Sequence, residues 1–470
     1  MLFRSPGNLV SPSELRPQTV LGIGPARVCP ASPAPGMSSQ MEAMPELQGL
    51  SLRSNFAWAL AGNVVYAACQ WGVIIVLAKL ANSFVVGQFS LGLAVATPVL
   101  MFSNFDLRAV QATDARRQYR FAEYFRLRVV MTLVGLLVIA GIVRLGRFES
   151  QTAAVILAVA LAKAVETLSD IHYGLFQLND RLDQTGKSMM LRGVLSVIAL
   201  AAALHLTHKV VWGCVWLALA WLGALVMFDV RRGRRLVAYT ERSGESPSPP
   251  RFERQWKLLH LALPLGIVTT IASINLNMPR YFIHARMGEH QLGIFSAMAY
   301  ATVAMTLVGD SLANSVIPRL SRLYAAGRTA EFRMLLLRLL VAGSAIGLSG
   351  LAVAWGLGSW LLTLFYSPEY AAHTHVFVLL TAAAAIHFAA SMLTSGITSA
   401  RYFRIQVPMF ALVAASTAAV CARFVPTMGL TGGAFAVIAG ASTRLVLAAA
   451  VIGHLVLNSA SPARDWKPNQ

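Results

Sequence analysis

Residues 152–177 read TAAVILAVALAKAVETLSDIHYGLFQ, and this stretch settles which solvent surrounds the chain. Residues 153–162 are wholly apolar. After them Lys163, Glu166, Asp170, Tyr173 and Gln177 fall at i, i+3, i+7, i+10 and i+14, which places all five on one face of an α-helix. At about 1.5 Å per residue, a helix of this length is long enough to cross a hydrocarbon core about 30 Å thick. An ionisable group left in hydrocarbon costs several kcal/mol, so the polar face must be wet or paired. Two readings are open. Lys163 and Glu166 can form an intrahelical ion pair that neutralises itself. The whole stripe can instead be the polar wall of a substrate cavity, and its extension beyond one pair favours that reading.

The rest of the chain repeats the apolar length. Of the 470 residues 56% are hydrophobic and 13% charged, and the mean hydropathy is +0.60, too apolar for a soluble globular protein. About twelve apolar stretches of spanning length follow one another from Phe56 to Leu457, separated by short polar connections. The expected fold is an all-α integral membrane bundle, with two six-helix lobes around a central cavity. Its expected parts are a cytoplasmic tail without a fold (1–53), an N-lobe (54–228), a cytoplasmic linker (229–258), a C-lobe (259–458) and a second cytoplasmic tail (459–470). The linker includes Ser243, Gly244, Ser246, Pro247, Ser248, Pro249 and Pro250, a composition that does not pack. The first tail, rich in Pro, Ser and Gly, lacks an apolar run long enough for a signal-peptide core, and Met37, Met41 and Met44 compete with Met1 as its start.

A formal charge of +19 would suggest nucleic acid in a soluble protein, but here the cations sort by side. Every second connection is basic, from Arg108, Arg116, Arg117 and Arg120 to Arg319, Arg322 and Arg328. The positive-inside rule places that set, and with an even helix count both termini, on the cytoplasmic side of a bacterial inner membrane. These arginines face phospholipid headgroups, so the lipid bilayer and not nucleic acid is the expected partner. Cys29, Cys69, Cys214 and Cys421 show no paired spacing and read as packing residues.

The halves resemble each other. Val86-Gly87-Gln88-Phe89-Ser90 follows the first span and Leu292-Gly293-Ile294-Phe295-Ser296 the seventh, which suggests an internal duplication. The seventh span also carries a polar stripe, with Thr270, Ser273, Asn277, Arg280 and His284, in which Arg280 either lines a cavity or snorkels to the headgroups. Asp310 lies in the eighth span and Arg444 in the twelfth, and the two are expected to neutralise each other if they meet.

Lys163 to Arg192, KAVETLSDIHYGLFQLNDRLDQTGKSMMLR, resembles the fourth helix and following loop of bacterial polysaccharide-export flippases of the O-antigen (Wzx-like) type. LAKLANSFVVGQFSLGLAVATP from Leu77, LRAVQATD, ALPLGIVTTIASINLNMPRYFI from Ala262 and PRLSRLYAAGRTAEF from Pro318 extend the resemblance over most of 56–457. It implies a two-lobed bundle of the multidrug/oligosaccharidyl-lipid/polysaccharide exporter superfamily. Such a protein would move an undecaprenyl-diphosphate-linked oligosaccharide outward across the inner membrane, with a polysaccharide polymerase and export machinery as further partners. Cationic residues in related flippases receive the diphosphate. On position and charge alone, the candidates here are Arg53, Lys163, Arg192, Arg280 and Arg444, with Glu166, Asp170, Asn277 and Asp310 as coupling or cavity residues.

Two rivals stand beside that reading. A drug or cation antiporter of the same superfamily calls for cavity carboxylates that outweigh cations, and the balance runs the other way. A membrane-embedded polysaccharide-modifying enzyme calls for a clustered acid/base set, of which His172 beside Asp170 is the only hint. No phosphate-binding loop or metal-ligand spacing occurs in the sequence, so neither a cofactor nor ATP is expected.

Overall fold

The computed structural model describes residues 49–114, 117–240, 251–400 and 402–458, and among them the regular structure is helical throughout. The N-terminal half contains α1 (Leu52–Leu80), α2 (Ser83–Asn104), the short α3 (Leu107–Thr113), α4 (Phe121–Leu145), α5 (Ser150–Leu178), α6 (Leu182–Thr207) and α7 (Val210–Ala224). A π-helical turn, Leu225–Val230, joins α7 to α8 (Arg231–Thr240). The C-terminal half contains α9 (Arg251–Ala325), α10 (Thr329–Phe365), α11 (Pro368–Ala371), α12 (Thr374–Ser399), α13 (Phe403–Met428) and α14 (Leu430–Asn458).

Eleven stretches among the described residues are long and apolar enough to cross a membrane, and one of them, Arg254–Thr302, is far longer than a bilayer needs. That stretch is two crossings. At Gly288 the backbone leaves the helix with φ +77°, a conformation glycine adopts without strain. The arms on either side then lie together, because Ile283 and Phe295 side-chain atoms stand 2.8 and 3.1 Å from one point, the place of a Cβ on Gly433. In a straight helix those two residues would be about 18 Å apart. The eleven stretches thus make the twelve crossings expected from the sequence.

The linker is shorter than expected. Helix runs through the π turn to Thr240 and resumes at Arg251, with Asp229 fully buried. The run of arginines after Asp229 marks where the chain leaves the apolar layer, which is not where the helix stops. Residues 241–250, both tails beyond 49 and 458, and Cys29 lie outside the described residues.

The basic connections gather at one end of the bundle, called here the basic end. At the other end the chain turns tightly, as at Ala81 and Asn82, where Asn82 Oδ1 accepts from the Val85 amide (3.0 Å) and caps α2. The two halves meet at this opposite end. Trp71 Nε1 donates to the Tyr366 hydroxyl (2.7 Å), Ser83 Oγ to Glu369 (2.8 Å) and Thr152 Oγ1 to Glu289 (3.3 Å).

Candidate functional site

α5 positions the site. All five residues of its polar stripe, Lys163, Glu166, Asp170, Tyr173 and Gln177, line one cavity of about 540 Å³. α1 adds Tyr66, the α2–α3 region adds Asn104, Asp106 and Arg108, α6 adds Arg192, and α9 adds Thr269. Since Arg108 and Gln177 lie at the ends of their helices, the cavity extends from mid-bundle to the basic end.

Two carboxylates organise the wall. Glu166 pairs with Lys163 one turn earlier on α5, with Arg192 Nη2 at 3.4 Å, and accepts a hydrogen bond from the Tyr66 hydroxyl (2.6 Å). Asp170 is held by Arg108 and Arg128, one on each oxygen, both at 3.2 Å. Each carboxylate is therefore shared by two cations. Tyr173 joins the two groups, with the Arg108 and Arg192 guanidinium carbons each 5.6 Å from its ring centre and its hydroxyl 2.8 Å from Ser188 Oγ. Arg192 also lies 5.1 Å from the Tyr66 ring and 5.4 Å from that of Trp221. Aromatic faces stabilise a guanidinium while leaving its N–H edge free to bond. The Nε and Nη1 groups of Arg192, which lines the cavity, are buried without a hydrogen-bond partner, and such donors make a site receptive to an acceptor-rich ligand.

Both readings of the α5 stripe therefore hold together: the Lys163–Glu166 pair exists, and it stands in the wall of a cavity. Of the nine candidate residues the structure brings Lys163, Glu166, Asp170 and Arg192 into this site. Four of the others lie elsewhere. Arg53 is exposed at the start of α1. Arg280 does not snorkel: it is 8% exposed, donates to Asn277 Oδ1 (2.6 Å) and stacks on Tyr300 at 5.1 Å. Asn277 is buried beside it. Arg444 bonds His387 (3.3 Å) and lies 5.5 Å from the Phe410 ring. The side chain of Asp310, and with it the expected pair with Arg444, lies outside the described residues.

Sequence reasoning missed Tyr66, Arg108 and Arg128. Tyr66 looks like one more apolar-span aromatic, and the two arginines look like members of a basic loop. Arg128 is in fact completely buried within α4. A signal was present, because Arg128 follows seven helical residues that begin at Phe121 and so sits on the second turn of the span.

Residues 52–324 match the family described as Polysaccharide biosynthesis protein. The chain is 25% identical over 328 residues to the Capsular polysaccharide biosynthesis protein CapF of Staphylococcus aureus, covering 70% of this chain and 80% of that one. Among solved structures it is similar to a mutant of the Vibrio cholerae MATE transporter VcmN, at 13% identity and TM-score 0.54, over 90% of this chain and 97% of that one. It is also similar to an inward-facing multidrug resistance MATE family transporter of the MOP superfamily, at 12% identity and TM-score 0.57, over 90% and 99% of the two chains. A MOP superfamily transporter from Pyrococcus furiosus, described for the reverse polarity of its binding pocket, matches at 14% identity and TM-score 0.56, over 86% and 95%. At such identities these structures establish the fold alone, a two-lobed all-helical bundle.

Proposed function

The chain belongs to the polysaccharide biosynthesis protein family, and from that premise we propose that it is a lipid-linked oligosaccharide flippase. It moves undecaprenyl-diphosphate-bound repeat units from the cytoplasmic to the outer face of a bacterial inner membrane, for surface or exopolysaccharide synthesis. Both termini and the basic end face the cytoplasm.

The observation that carries this reading is the sharing of Glu166 and of Asp170, each by two cations, in the cavity wall. Bare cations in an apolar bundle would be prohibitive, so Glu166 and Asp170 hold the cavity cations Lys163, Arg192 and Arg108 until the substrate arrives, while Arg128 is buried behind Asp170. A diphosphate brings several acceptor oxygens, and arginine presents a planar, permanently charged fork to receive them. The same pairing disfavours a cationic drug at Glu166 and Asp170, because these two carboxylates are already occupied. Sugar units follow the headgroup into the cavity while the polyprenyl tail stays in lipid, and the two lobes then expose the cavity to the other side. The inside-negative potential assists outward movement of the anion by about 2.3 kcal/mol per charge per 100 mV.

Deleting the gene and analysing surface polysaccharide together with membrane lipid-linked intermediates tests the proposal. Loss of polymer with accumulation of complete, cytoplasm-facing undecaprenyl-diphosphate oligosaccharide is expected. Unchanged polysaccharide with altered drug sensitivity would point to an antiporter, and truncated sugar units to an enzyme.

A further inference from the structure

Four arginines are buried among the described residues, and three of them hold a carboxylate: Arg128 with Asp170 at 3.2 Å, Arg181 with Asp183 at 2.9 Å and Arg192 with Glu166 at 3.4 Å. Arg280 holds none. It is 8% exposed, its charge faces the Tyr300 ring, and its hydrogen-bond partner is the neutral amide of Asn277. Asn277 is itself fixed, with Nδ2 donating to the Ser273 carbonyl oxygen at 2.9 Å. That bond orients its Oδ1 toward Arg280 and turns the guanidinium into a set position. A guanidinium has five N–H donors, so most of those on Arg280 remain unspent.

A buried cation with no countercharge costs several kcal/mol, and membrane proteins keep such a group where an anion visits. Depth along the bundle says when. Arg280 lies eight residues before the turn at Gly288, about 12 Å from the opposite end. Lys163, the cavity cation farthest from the basic end, lies thirteen residues into α5, about 20 Å from that same end. Arg108, Lys163 and Arg280 thus form a series of cations that climbs from the basic end toward the opposite one.

Resting on the flippase reading, we propose that Arg280, set by Asn277 and Tyr300, is a second binding station for the substrate's diphosphate, occupied after the α5 cavity and before release at the opposite face. The cavity takes the headgroup from the basic side, where its carboxylates neutralise the waiting cations. Arg280 takes it in the outer third of the bundle, where the empty station is kept tolerable by a ring face and one amide. The lack of a competing carboxylate makes Arg280 a strong acceptor of the headgroup only while the bundle is open toward it.

The test measures binding and movement separately, using undecaprenyl diphosphate that carries one fluorescent sugar. Binding is read in nanodiscs and flipping in liposomes. Arg280→Gln should bind within about twofold of the parent and flip about tenfold slower or worse, as expected when a later step loses its partner. Arg280→Lys should restore part of the rate, through charge without the fork. Asn277→Asp is the variant that guards against misfolding. It supplies the missing carboxylate at 2.6 Å geometry, so it should keep or raise thermal stability while slowing flipping as Arg280→Gln does. Parental flipping in Arg280→Gln or Asn277→Asp overturns the second station. Loss of binding in Arg280→Gln as complete as in Arg192→Gln overturns it too, because there is then one site and not two. Parental binding and flipping in Arg192→Gln would instead remove the cavity reading on which the station rests.

Discussion

Gly87 and Gly293 cross as a reciprocal pair. A Cβ on Gly87 would stand 1.8 Å from the carbonyl oxygen of Glu289, and one on Gly293 would stand 1.8 Å from that of Ser83. Ser83 is four residues before Gly87, and Glu289 is four residues before Gly293. The two segments that look alike in sequence, Val86 to Ser90 and Leu292 to Ser296, therefore meet each other about a local two-fold axis. Small residues at such a crossing let two membrane helices approach backbone to backbone.

Gly87→Ala or Gly293→Ala forces α2 and the second arm of α9 apart. In an isolated helix the change would be favourable by about 1 kcal/mol, but overpacking typically costs about 1–3 kcal/mol. Each variant should melt at a lower temperature than the parent in detergent and transport poorly. Gly141→Ala is the control, because no atom lies within 4 Å of its Cβ position, and it should match the parent or exceed it. Equal melting temperatures in all three would mean that the crossing does not set stability.

Glu369 ties the halves at the opposite end, accepting from Ser83 Oγ at 2.8 Å and meeting His290 Nε2 at 2.7 Å. Burial and the nearby His375 hold His373 below the usual histidine range. Glu369 and His290 are both largely exposed, so Glu369→Gln should cost no more than about 1 kcal/mol. That is enough to shift an open–closed equilibrium by roughly fivefold. Modification of a cysteine placed at Thr152, which is fully buried at the same end, by a membrane-impermeant reagent should speed up by about that factor. An unchanged rate would show that the tie does not govern opening.

The α5 stripe was legible because a helix repeats every 3.6 residues, so spacing alone puts Lys163 and Gln177 on one face. The partners of that face were not. Tyr66, Arg108 and Arg128 come from three other helices, and a single sequence carries no record of which helices become neighbours. The near partners of both cations were legible, Glu166 three residues after Lys163 and Asn277 three before Arg280, and only packing adds Arg192 and Tyr66 to the first pair and Tyr300 to the second. The end of α8 was misjudged for a related reason. Arginines mark the membrane boundary, whereas hydrogen bonding decides where a helix ends, and the two boundaries need not coincide.

Asp170 is the carboxylate partner of Arg128, which is completely buried. Removing one member of a buried pair costs about 3–5 kcal/mol, because the other charge is left uncompensated. Asp170→Asn should therefore fold poorly and express at low levels. The double variant Arg128→Leu with Asp170→Asn removes both charges and should recover most of the lost stability, a coupling that a double-mutant cycle reads directly. If the double variant is no more stable than Asp170→Asn alone, Arg128 is not the residue that Asp170 serves.

Glu166 decides between an anion and a cation as cargo. It engages Lys163, Arg192 and the Tyr66 hydroxyl at once, so an arriving diphosphate has to compete with it for both cations. Glu166→Gln removes the competitor while keeping the shape of the side chain. Undecaprenyl diphosphate should then bind more tightly, by about tenfold if the competition is worth about 1.4 kcal/mol. Flipping should become slower, because the headgroup no longer has a carboxylate to displace it from Lys163 and Arg192. A cationic substrate would behave in the opposite way, losing one of the carboxylates in the cavity wall and binding more weakly. Measured on one purified protein with one lipid diphosphate and one organic cation, the sign of the two affinity changes identifies the cargo, and weaker diphosphate binding in Glu166→Gln would refute the reading of this cavity as an anion site.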